Sequence, residues 1–139
     1  MRKNNRNHQT QWAAQFAVAS ELCKRGYEVS FTLGHSAPLA DLVAISPKSK
    51  TTILIDVKGL YRRNPWLIKR KSARKNLFYV LAHVTIGQSD RFFLFSQREM
   101  NRMLKAELKR LGRKPSYPLT GIVWSLALRG ENAWEKPPH

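Results

Sequence analysis

Asp41, Asp56 and Lys58 are the residues of this chain whose types and spacing point to chemistry. Asp56-Val57-Lys58 closes the apolar run Thr51–Gly59, and a strand alternates its side chains, so this acid and this amine project from one face. Such charges on a buried-looking strand are costly to desolvate unless they are paired or put to use. The preceding run, Asp41–Ser46, reads as a second strand, with Pro47–Lys50 as a four-residue hairpin loop between them. A symmetric loop sets Ile45 against Thr52, Val43 against Leu54 and Asp41 against Asp56. Directly opposed residues have Cβ atoms about 5 Å apart. Two carboxylates that close, beside an ammonium, read as a divalent-metal site. Oxygen ligands suit Mg²⁺ or Mn²⁺, with one oxygen each from Asp41 and Asp56 and a third from the Val57 carbonyl. A metal so held polarises a phosphodiester and lowers the pKa of a bound water. Lys58 would then face the attacking water or a non-bridging phosphate oxygen. A plain cross-strand salt bridge of Lys58 with either aspartate accounts for the spacing equally well.

The elements that must position these residues are legible in outline. Thr10 or Gln11 to Arg25 reads as a helix, with Trp12, Phe16, Ala19 and Cys23 at helical spacing and Gly26 as its stop. Tyr27–Leu33 alternates as a strand, and Gly34–Pro38 is a loop carrying His35, a candidate for phosphate contact or proton transfer. A short strand is expected at Trp66–Ile68, followed by a basic loop, then strands at Asn76–Thr85 and Arg91–Phe95. Ser96-Gln-Arg-Glu99 is a capping box opening a helix to about Leu111, and Gly121–Leu128 reads as a final strand. The order implies an α/β sandwich with a central mixed sheet. Residues 1–9 read as a flexible basic arm, 10–130 as a single domain and 131–139 as a C-terminal tail.

The 139 residues carry 25 Lys and Arg against 9 Asp and Glu, a formal net charge of +16 that favours a polyanionic partner. From Val57 to Ser89 no acid occurs, yet Lys58, Arg62, Arg63, Lys69, Arg70, Lys71, Arg74 and Lys75 all fall there. This stretch begins at the candidate site and reads as a wall that tracks a nucleic-acid backbone. Tyr61 and Trp66 are base-stacking candidates, although such aromatics are more often core. The single cysteine, Cys23, excludes an intrachain disulfide and a cysteine-rich zinc site. No segment reads as a signal peptide or membrane span, and a cytoplasmic protein without a membrane partner is the expectation.

Asp41 before one strand and Asp56-x-Lys58 on the next resemble the catalytic motif of the PD-(D/E)xK nuclease superfamily. Glu21-Leu-Cys-Lys-Arg-Gly-Tyr27 is similar to the "ELxxRGY" stretch of its small resolvase-like and restriction-endonuclease-like members, and the resemblance covers roughly residues 10–110. It implies a restriction-endonuclease-like α/β sandwich with a central mixed β-sheet flanked by helices. The implied activity is metal-dependent hydrolysis of phosphodiesters, DNA ahead of RNA, with Mg²⁺ or Mn²⁺ as cofactor. Many members act as dimers, though no homodimer face is legible here. The sequence departs from the pattern at Ala40, where the family's name has proline, and on the first helix. The helix acid of such members maps to Gln15 if Leu22 is the anchor, and Glu21 lies about 240° around the helix from it. Either Glu21 is the helix ligand or Gln15 replaces the acid and weakens metal binding. The alternative function is a non-catalytic nucleic-acid-binding protein on the same fold with a degraded site. A third is a small RNA-associated structural protein in which the three charges are only a salt-bridge network.

Overall fold

Strand β3 (Thr52–Leu60) is the axis of the molecule, because its two faces serve two different cores. The computed structural model describes the backbone of residues 2–32, 40–117 and 119–139, and the side chains from residue 6 onward. His35 and its loop therefore lie outside the described residues, as do the side chains of Arg2 and Lys3. The chain runs α1 (Arg2–Lys24), β1 (Glu28–Phe31), β2 (Leu42–Ile45), β3, β4 (Trp66–Lys69), β5 (Leu77–His83), β6 (Arg91–Ser96), α2 (Gln97–Arg110), β7 (Leu119–Ile122) and α3 (Trp124–Ala127), and then a 3₁₀ turn (Leu128–Gly130). Five strands form a mixed sheet in the order β1-β2-β3-β5-β6, antiparallel except for the β3–β5 pair. The fold is thus an α/β arrangement with a central mixed sheet.

Ile53, Ile55 and Val57 face α1 and pack in one core with Ala14, Val18 and Leu22, joined by Leu42, Val80 and Leu94. Leu54 and Leu60 face the other way, toward the core of Trp66, Tyr79, Phe93, Met100 and Leu104 that α2, β4 and β7 close. All seven residues of β5 are buried, as expected of a strand in parallel pairing with both faces covered. A parallel pair needs a long crossover. Here it contains β4, which pairs antiparallel with β7, Trp66 opposite Ile122.

The hairpin has the expected register, with Ile45 opposite Thr52 and Val43 opposite Leu54. Four expectations need correction. The helix begins at Arg2, not Thr10, and so includes most of the expected arm. Its buried face is Ala14, Val18, Ala19 and Leu22, so Ala19 faces the core as expected, but Phe16 is 58% exposed and Cys23 is also exposed. The reason is close approach: a Cβ on Gly59 of β3 would stand 2.6 Å from Ala14 Cβ, so only small side chains fit between helix and sheet. The displaced aromatics meet outside, Trp12 stacked on Phe16 at 5.7 Å and Phe16 edge-on to Phe31 at 5.3 Å between ring centroids. Near the C-terminus the strand stops at Ile122 and the chain turns helical from Trp124. The last residues are part of the fold, with Trp134 buried and the Tyr27 hydroxyl donating to the Pro138 carbonyl at 2.5 Å.

Candidate functional site

Strand β2 pairs with β3 only as far as Leu42 opposite Ile55, followed by the Asp41 N–H donating to the Ile55 carbonyl at 2.9 Å. Beyond that point the edge of β3 would leave backbone groups unpaired, which is costly inside a protein. Side chains take the missing strand's place. Asp41 Oδ2 accepts from the Val57 N–H at 2.7 Å. Gln11, from α1, donates through Nε2 to the Val57 carbonyl at 2.6 Å and accepts through Oε1 from the Gly59 N–H at 3.0 Å. Its carboxamide thus imitates a neighbouring peptide unit. One turn further along α1, Gln15 Nε2 donates to Asp41 Oδ1 at 3.4 Å.

Asp56 and Lys58 project from β3 on the face away from α1. The Asp56 carboxylate is buried, with one oxygen ion-paired to the Lys71 ammonium and Oδ1 lying 3.1 Å from Lys58 Nζ. That Oδ1 makes no hydrogen bond among the described residues. The regular register stops at Leu42 opposite Ile55, and the Asp41 N–H bonds the Ile55 carbonyl, so Asp41 does not continue the ladder to oppose Asp56 as the symmetric hairpin implies. Its carboxylate turns along the edge of β3, near enough for the charges of Asp56, Lys58 and Lys71 to act on it. Burial pushes the Asp41 carboxyl above its ordinary value; the Val57 N–H pulls it down, the Asp56 charge pushes it up, and Lys58 and Lys71 pull it down. Asp41, Asp56, Lys58 and Lys71 therefore belong to one electrostatic cluster.

Lys71 arrives by a route that no sequence pattern signals. Ser96 caps α2 by accepting from the Glu99 N–H, while the Glu99 carboxylate accepts from the Ser96 N–H. This fixes Gln97, buried in the first turn, against the backbone of the crossover. Gln97 donates to the Ser72 carbonyl at 2.8 Å and the Lys71 carbonyl at 3.4 Å, and accepts from the Arg74 N–H. The segment that carries Lys71 is thereby held with its ammonium on Asp56.

Of the sequence-nominated residues, Asp41, Asp56, Val57, Lys58 and Gln15 come together. Gln15 lies beside Asp41, whereas Glu21 pairs with Arg25 at 2.6 Å and Lys24 at 3.3 Å on the last turns of α1. Arg62 and Arg63 are exposed beyond β3, with Arg63 stacked 4.1 Å above the Trp124 ring. Lys69 is exposed at the end of β4, and Arg70, Arg74 and Lys75 are exposed along the segment after it. Trp66 is core, and Tyr61 carries the Arg6 guanidinium 5.0 Å above its ring. Gln11 and Gln97 were missed. The only clue to Gln11 is that it shares a helical face with Ala14, Gln15 and Val18.

Among the described residues, no three His, Cys, Asp or Glu side chains gather in a group that could hold a metal. Two carboxylates with a neighbouring amide still fit a hydrated Mg²⁺ or Mn²⁺, which commonly takes one or two carboxylates and completes its shell with water and phosphate. Asp56 Oδ1 is buried with only the Lys58 ammonium, 3.1 Å away, as its partner among the described residues, so an ion bound there would have to displace that ammonium. Among the described residues, no helix is long and apolar enough to cross a membrane. Comparison with protein-family models, curated proteins and solved structures finds no match for this chain.

Proposed function

We propose that this chain is a metal-dependent nuclease on a restriction-endonuclease-like α/β sandwich, hydrolysing DNA phosphodiester bonds at Asp41, Asp56 and Lys58. The observation that carries this reading is the gathering of Asp41, Asp56 and Lys58 in one electrostatic cluster along β3, with the Lys58 ammonium 3.1 Å from the buried Asp56 carboxylate. Asp41 and Asp56 would hold Mg²⁺ or Mn²⁺, with the Gln15 amide oxygen as a further donor; the Val57 carbonyl expected from the sequence as a third ligand is already taken by Gln11 Nε2 at 2.6 Å. When bound, the ion supplies Lewis acidity and a more acidic water. Lys58, 36% exposed at its side chain against 20% for Lys71, is the more open of the two lysines, and its ammonium orients a non-bridging phosphate oxygen or the entering water. The water oxygen joins phosphorus, the P–O ester bond breaks, and a water proton ends on the leaving hydroxyl.

A second reading has its own observation. Lys58 and Lys71 already balance the charges of the two aspartates, and Gln15 offers an amide where an acid would strengthen the site. That arrangement suits a nucleic-acid-binding protein that does not cut. Plasmid and branched-DNA cleavage assays with Mn²⁺ or Mg²⁺ separate the two. The nuclease reading expects cleavage that falls at least about a hundredfold in Asp56→Asn and in Lys58→Ala. Salt-sensitive binding without cleavage under either ion leaves the second reading standing.

A further inference from the structure

The crossover segment 70–76 and helix α2 enclose an open cleft of about 960 Å³, whose far wall is absent from the sequence-based nomination of basic residues. Arg98, Arg102 and Lys105 line it from α2, at spacings of four and three residues that place them on one helical face, and all three are exposed. Arg70, Arg74 and Lys75 line it from the crossover. Among the described residues none of these six forms an ion pair, although acids elsewhere are taken: Glu107 by Arg110, Glu99 by Lys136 and Glu131 by Arg91.

We propose that this cleft is the track for a nucleic-acid backbone, with Arg98, Arg102 and Lys105 as its second wall; the proposal rests on the nucleic-acid reading given above. The two walls are tied together by Gln97, whose side chain bonds the backbone of Lys71, Ser72 and Arg74, so the cations are pre-positioned instead of swinging on a free loop. Lys71 joins cleft to site: it lines the cleft, and its ammonium reaches Asp56. A phosphate chain lying in the cleft is thus led to the carboxylates. A polyanion narrow enough to enter fits better than an anionic membrane. A lipid surface cannot reach both walls of a concavity, and no exposed large apolar side chain lines this one.

The test compares two triple variants of equal charge change. Arg98→Gln/Arg102→Gln/Lys105→Gln empties the α2 wall, and Lys48→Gln/Lys109→Gln/Arg129→Gln removes exposed cations outside the cleft. Binding of a labelled 20-base-pair duplex is followed by anisotropy across a salt series, with circular dichroism confirming that both variants fold. The cleft variant should lose about 2–3 from the slope of log affinity against log salt, and the outside variant less than about 1. Equal slopes in the two variants, or a cleft variant matching the parent, overturn the proposal, as does binding to phosphatidylserine vesicles but not to nucleic acid. Cleavage by the parent protein with no slope change in the cleft variant rejects the cleft alone. A reduced slope in a protein that never cleaves rejects the nuclease reading and leaves the cleft standing.

Discussion

The two sides of β3 meet the two aspartates of the cluster with different chemistry. From α1 come two neutral carboxamides: Gln11 completes the edge of β3, and Gln15 leans on Asp41. From the opposite face come two ammoniums, Lys58 and Lys71, both on Asp56. The neutral side settles where the backbone and Asp41 sit, because amide hydrogen bonds are directional and carry no net charge to be rebalanced. The charged side settles how strongly the centre attracts cations or phosphate, because two ammoniums cancel two carboxylates. Geometry and charge are thus separable here, and substitutions on one side should leave the other side's property nearly intact.

The largest expected effect belongs to the neutral side. In Gly59→Ala the new Cβ would stand 2.6 Å from Ala14 Cβ and 3.1 Å from the Thr10 carbonyl, so α1 must retreat and Gln11 lose its hold on β3. A loss of about 1–3 kcal/mol in urea unfolding is expected, and adding Ala14→Gly should recover part of it despite the helix cost of glycine, about 1 kcal/mol. An unchanged midpoint in the single variant would break the claim that α1 is locked to the strand at this point.

The charged side should respond differently. Lys71 and a divalent ion compete for Asp56, so Lys71→Met should bind Mn²⁺ roughly tenfold more tightly, worth about 1.4 kcal/mol, at a cost in metal-free stability because the buried Asp56 carboxylate keeps only Lys58 as a charged partner. Isothermal titration of the metal-free protein measures this. Weaker Mn²⁺ binding in the variant would instead make Lys71 part of the metal site's support. Gln97→Ala tests the same latch indirectly, since it releases the segment 71–74 without touching a charge. It should tighten Mn²⁺ in the same sense but less, at a stability cost of about 1 kcal/mol for lost hydrogen bonds.

How much of this was readable beforehand follows the same division. The hairpin register was legible because a symmetric four-residue loop and strict alternation leave few pairings, and a one-residue slip would turn every apolar side chain outward. The charged residues Asp41, Asp56 and Lys58 stood out because charge at strand spacing demands an explanation. Gln11 and Gln97 did not, because a neutral side chain that bonds to backbone leaves no pattern in the sequence. Lys71 was one cation among many until Gln97 fixed which one reaches Asp56. The helix face was misread because Trp12 and Phe16 have the right period and the wrong size for a helix seated on Gly59. Ile122 to Leu128 is a short apolar run, and runs of that length do not distinguish strand from helix.

A smaller effect should come from changing the neutral side into a charged one. Gln15→Glu sets a third carboxylate beside Asp41, removing the donor now 3.4 Å from Asp41 Oδ1 and adding an anionic ligand. Mn²⁺ affinity should rise several-fold, by about 0.5–1 kcal/mol, and cleavage with it if the nuclease reading holds. A variant that binds Mn²⁺ no better would show that Gln15 positions Asp41 without facing the ion.

The smallest effect tests whether burial or charge dominates at Asp41. Burial raises its carboxyl above the ordinary value of 3.8, so the native protein holds this proton to higher pH than the unfolded chain does. Across that window the native state binds more protons, and stability must fall as pH rises from the unfolded value through the native one, then level off. Asp41→Asn keeps an oxygen for the Val57 N–H and removes the titration. The stability of the parent minus that of the variant should therefore decline as pH rises from the unfolded value of 3.8 and level off once the raised native value is passed. Mn²⁺ binding needs the ionised carboxylate, so its affinity should weaken as pH falls through the same raised value. A difference that instead grows with pH would mean that Lys58 and Lys71 overcome desolvation at Asp41, and the charged face would then govern both aspartates.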